Sequence, residues 1–104
     1  MMSSNGNTIY ELRHMPAVGQ QIKDLAKRAA VRGRKAEFVS ALKAVLAKLQ
    51  TEPSKWGDPE YNLHKTGGCV YHGILDLLIA KYAVFEHEKI VLLMNIRLLP
   101  DAGF

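Results

Sequence analysis

Cysteine is almost missing from this chain. Cys69 is the only one, so no disulfide can close within it, and a reducing cytoplasmic setting is the natural expectation. Long apolar runs are missing too. No stretch approaches the roughly 18 uninterrupted apolar residues that a membrane-spanning helix needs, so no membrane partner is expected. No apolar leader precedes Thr8, and Met1–Asn7 is small and polar, which reads as a disordered start. His14, His64, His72, His87 and Cys69 lack the spacing of a metal site. Cys69 and His72 also stand three apart, an odd spacing that sends them to opposite faces of a strand. Gly67-Gly68 has neither the lysine nor the following helix start of a phosphate loop. No metal and no cofactor are therefore expected. Aromatic side chains are scarce, at 8%, and each one outside a regular element calls for an explanation.

What is present is ordinary for one globular domain: 104 residues, 48% hydrophobic and 23% charged. Residues 8–104 form that domain in this reading. The net charge of +4 is unevenly spread. From Arg13 to Lys55 ten Lys or Arg face only Asp24, Glu37 and Glu52; from Trp56 onward acidic residues outnumber basic ones. A basic half is a footprint for a polyanion or an acidic protein. The plainer alternative is that lysine and arginine simply fill the solvated faces of two helices.

Those helices are legible from period and punctuation. Pro16 suits a first helical position, where its missing N–H costs nothing. Val18, Ile22, Leu25, Ala26 and Ala29 then form one stripe, and Gly33 offers a left-handed stop. Phe38, Leu42, Val45, Leu46 and Leu49 form the stripe of a second helix, which Pro53 ends. Before them, Thr8–Met15 alternates as a strand. After them, residues 54–68 read as a loop broken by Gly57, Pro59, Gly67 and Gly68. Trp56 and Tyr61 within it either seal the core edge or stack on a base.

The last third is rich in Val, Ile, Leu, Tyr and Phe. It reads as three strands, Val70–Ile79, Lys81–Glu86 and Lys89–Leu99, with breaks near Ala80 and at Glu86–Lys89. In the third run Ile90, Leu92, Met94, Ile96 and Leu98 make a uniformly apolar face, and Val91, Leu93, Asn95 and Arg97 make the other. The predicted fold class is α+β: an N-terminal strand, a helix hairpin and a three-stranded antiparallel meander. Together they give a four-stranded sheet with both helices on one face. Its core holds Ile22, Leu25, Phe38, Leu42, Leu46, Leu92, Met94 and Ile96. Glu86 and Glu88, at a hairpin tip, read as solvated.

This order resembles the RelE/ParE toxin superfamily of bacterial toxin–antitoxin systems. The resemblance rests on the helix end Leu46–Pro53, the stretch Asp58–Lys65, the hairpin Lys81–Leu93, and Arg97. It implies a toxin component, and in the nuclease branch a metal-independent, ribosome-dependent mRNA endonuclease. Basic side chains on the open sheet face would then hold the scissile phosphate. The matching positions are His64, Lys65, Lys81 and Arg97. Alternation alone adds His72 to that face, and Asn95 lies two residues from Arg97. With Trp56 as a loop aromatic, the expected catalytic set is Arg97, Lys81 and His72. The expected RNA contacts are His64, Lys65, Asn95 and Trp56. An acidic antitoxin, the ribosome and its message are the implied partners. The other reading is a non-catalytic module of the same fold, a gyrase-type inhibitor or a protein that binds a partner or dimerises.

Overall fold

A computed structural model describes residues 9–100. The expected disordered start, residues 1–7, and both outer ends of the expected domain lie outside the described residues. The helices form where period and punctuation put them. Helix α1 runs over Pro16–Val31 with Pro16 in its first turn, and Gly33 follows it at φ +67°. Helix α2 runs over Lys35–Thr51, and Pro53 opens a single further turn, α3, over Pro53–Trp56. Val18, Leu25 and Ala29 of α1 are buried, as are Phe38, Ala41, Val45 and Leu49 of α2.

The α+β class holds, but the four-stranded antiparallel sheet does not. The sheet has five strands in the order β1-β5-β4-β3-β2. They are β1 (Glu11–His14), β2 (Asp58–Leu63), β3 (Gly68–Leu75), β4 (Leu78–Phe85) and β5 (Ile90–Leu98). It is mixed, because β1 runs parallel to β5 while every other pair is antiparallel. The added strand, β2, comes from the segment that reads as a loop. Pro59 cannot donate to a ladder, and β2 is accordingly an edge strand. The β3–β4 hairpin turns at Asp76–Leu77 rather than near Ala80, with Asp76 at φ +54°, a conformation aspartate tolerates better than most residues.

Both long helices cover one face of this sheet. Against them lie Tyr82, Ala80, Leu78 and Val84 of β4 and Val91, Leu93 and Ile96 of β5. The expected face of β5 is therefore wrong in its first half and right in its second. Leu93 is buried in the core, while Leu92 pairs with Ala83 on the uncovered side and Met94 is only half-buried. The cause is a β-bulge: Tyr82 pairs with Leu93, Lys81 with Asn95, and Met94 is the extra residue. One inserted residue flips the side-chain alternation beyond it. Ile96 thus faces the core, as expected, for a reason that alternation does not contain. Ile22, Leu42 and Leu46 pack at the margin of the core, whose centre is Leu25, Phe38, Val45 and Leu49.

Candidate functional site

The face that none of the described helices covers carries the candidate site. Its residues follow from the ladder: His72 pairs with Lys81, Lys81 with Asn95, and Ile79 with Arg97. Residues paired across a sheet share a face, so His72, Lys81, Asn95 and Arg97 form one cluster over three adjacent strands. They line a depression of about 870 Å³, together with Glu60, Met15, Ile74, Ile79 and Met94. Sequence reasoning named four of these residues, and the fold brings them together.

Two bulges shape this depression from opposite sides. The bulge of β5 turns Met94 and Asn95, two consecutive residues, towards it. The other lies in β2, where Pro59 pairs with Tyr71, Tyr61 pairs with Val70, and Glu60 is the unpaired residue between. Glu60 thereby reaches His72, with its Oε2 3.0 Å from Nδ1. With the proton on Nδ1, the imidazole donates to the carboxylate and leaves Nε2 as an acceptor. Glu60 is the charged member of this cluster that sequence reading missed. Its signal was faint: a carboxylate following a proline at what proves to be an edge.

The end of β5 is held from outside the sheet. Parallel pairing with β1 stops at Leu93, where Met15 N–H donates to the Leu93 carbonyl at 2.9 Å. Beyond it, Ile96 N–H donates to Oε1 of Gln21 on α1, also at 2.9 Å. That side chain substitutes for a strand partner and fixes the backbone between Asn95 and Arg97. A smaller hollow of about 430 Å³ lies between α1 and this strand end, and Asn95 and Arg97 border it as well.

The other expected contacts lie elsewhere. His64 and Lys65 are exposed in the turn between β2 and β3, four or more residues of strand from His72, on the order of 13 Å. Trp56 is not on this face at all. It stacks on Tyr82 at 5.6 Å between ring centroids, and Tyr82 stacks in turn on Tyr71, also at 5.6 Å. The Trp56 ring occupies the space above Gly73, where a Cβ would meet it at 2.7 Å. Trp56 thus seals the core edge under the helices, and the Tyr82 hydroxyl donates to the Pro53 carbonyl at 2.6 Å to close that corner. Burial pushes the Tyr82 phenol well above its usual range. The aromatic that does face the site is Tyr61, with Lys81 Nζ 5.5 Å from its ring centroid.

Glu86 is exposed at its hairpin tip, as expected, but it is also a hub, accepting from Tyr10 Oη at 2.7 Å, Ser54 Oγ at 2.8 Å and Lys89 Nζ at 3.1 Å. The Tyr10 hydrogen bond above all holds its carboxyl below the usual range, against the opposing effect of partial burial.

Comparison with protein-family models, with curated proteins and with solved structures finds no match. Fold and site therefore define a class by geometry alone: an α+β protein whose mixed sheet is covered on one side and bears a basic, bulge-framed depression on the other. No helix among the described residues is long and apolar enough to cross a membrane.

Proposed function

We propose that this chain is a RelE/ParE-like toxin component that cuts single messenger RNA strands without a metal ion. The carrying observation is the convergence of Lys81, His72, Asn95 and Arg97 on one depression of the uncovered sheet face. In this reading His72 Nε2, oriented through Nδ1 by Glu60, takes the proton of a ribose 2′-hydroxyl. The freed oxygen attacks the adjacent phosphorus, and a bond forms between O2′ and phosphorus. The bond from phosphorus to O5′ breaks, leaving a cyclic phosphate, and the departing O5′ takes a proton from Lys81. Arg97, with five donors in a planar fork, faces the charge that builds on the phosphoryl oxygens. Asn95 supplies a neutral donor beside it. The implied partners are the ribosome with its message and an acidic antitoxin, which the basic segment from Arg13 to Lys55 suits in charge.

A binding-only protein of the same fold is the second reading, and the apolar share of the depression favours it: Met15, Ile74, Ile79 and Met94. The two readings diverge on one experiment. Wild type and Arg97→Ala are expressed in bacteria, growth is followed, and ribosome-bound message is mapped by primer extension. Wild type should slow growth and leave defined cuts. Arg97→Ala should lose about 100- to 1,000-fold in cleavage, the scale for one preorganised donor. Its folding stability should change by less than about 1 kcal/mol, because Arg97 is exposed. Equal growth and equal RNA profiles for the two proteins would overturn the nuclease reading.

A further inference from the structure

We propose that Tyr61 is a nucleobase platform, so that the site takes an unpaired RNA segment and rejects a duplex. The inference rests on the RNA-cutting reading and names the form of RNA that reading requires. Tyr61 is a large apolar side chain left 46% exposed, on an edge strand, directly after the bulged Glu60. Its backbone partner, Val70, is two residues from His72 on the same face, roughly 6.6 Å of strand rise. The ring therefore stands about one nucleotide from the imidazole assigned to proton transfer.

The ring already holds a cation. Lys81 reaches diagonally across β3 to place Nζ 5.5 Å from the Tyr61 centroid. Val70, between them in the register, is fully buried although it lies on the uncovered face. A nucleotide offers both halves of this pair a better partner: a phosphate for the ammonium and a flat π-face for the ring. Arriving phosphate draws Lys81 off the ring, and the adjoining base takes its place. The neighbouring floor of Ile74, Ile79 and Met94 presents no donors or acceptors to base edges, so stacking here is tolerant of sequence. The body of a duplex cannot use the platform, because each internal base is already covered on both faces by stacked neighbours.

The test measures fluorescence anisotropy of two labelled probes, both with 2′-methoxy groups so that neither is cut: a short unstructured oligouridylate and a blunt duplex of the same strand length. Wild type should bind the unpaired probe more tightly than the duplex. Tyr61→Ala should weaken binding of the unpaired probe roughly tenfold or more, the loss of one base–aromatic stack, and leave duplex binding unchanged. Tyr61→Phe should bind like wild type. If Tyr61→Ala does not fold by circular dichroism, Tyr61→Leu against Tyr61→Phe decides in the same way. Arg97→Gln should weaken both probes and so reports the charge of the face separately. Unpaired binding that survives Tyr61→Ala, or wild type preferring duplex, would overturn the platform and leave the RNA-cutting reading standing. No binding of either probe by wild type would overturn the platform as well, while the RNA-cutting reading stands or falls on the growth and primer-extension comparison of wild type with Arg97→Ala.

Discussion

At the scale of single residues, Glu86 shows how a carboxylate at a hairpin tip can become structural. Tyr10 is buried and stands just before β1, and its hydroxyl donates to a side chain at the far end of β4. The bond ties the entry of the chain to the last hairpin. Burial and the carboxylate push the Tyr10 phenol up to about 12. Both shifts have a sign in stability. Glu86 has a folded pKa below its unfolded value, so its contribution is present above about pH 4.3 and lost as pH falls through the folded value. Tyr10 has a raised pKa, so its contribution is full below about pH 10 and lost as pH climbs towards about 12. Tyr10→Phe should therefore cost about 1 kcal/mol at pH 7, with the gap from wild type closing below about pH 4. Urea midpoints for both proteins from pH 7 to pH 2 measure this. A gap that persists at pH 2 would mean the carboxylate is not the partner that matters.

At the scale of elements, the two bulges explain both what was legible and what was not. The helices could be read because each signal is local: a 3.6 period, Pro16 at a start, Gly33 and Pro53 at stops. Lys81 and Arg97 were pointed to by the family resemblance, and alternation of strand side chains added His72 and set Asn95 beside Arg97. Strand β2 was hidden, since Pro59 and the bulged Glu60 break its alternation within six residues and five of those six are exposed. The Asp76–Leu77 turn was hidden because a buried leucine occupies it. In β5 both halves are apolar, so nothing in the residue pattern marks where Met94 slips the register. Core positions follow from that slip. Leu93→Ala should cost about 2–5 kcal/mol, the range for a buried leucine, whereas Met94→Ala should cost well under half as much. Urea unfolding of the two variants checks it; equal costs would mean that the bulge lies elsewhere in the strand.

At the scale of the whole molecule, the parallel pair joins opposite ends of the chain. Leu12 lies beside Val91, so about three quarters of the 104 residues fall inside the loop that this contact closes. Closing so long a loop carries an entropic cost that only the finished sheet repays, which places β1 docking late on the folding route. Leu12→Ala should therefore speed unfolding and leave the refolding rate nearly unchanged. Stopped-flow chevrons measure both limbs, and a slowed refolding limb would put β1 in the nucleus instead. The order has a bearing on the depression. Asn95 and Arg97 reside on β5, whose outer neighbours are β1 and, beyond it, the Gln21 side chain. A late-docking β1 therefore makes the rim of the depression a latecomer: its basic side chains are brought to their final spacing by the segment that precedes both helices.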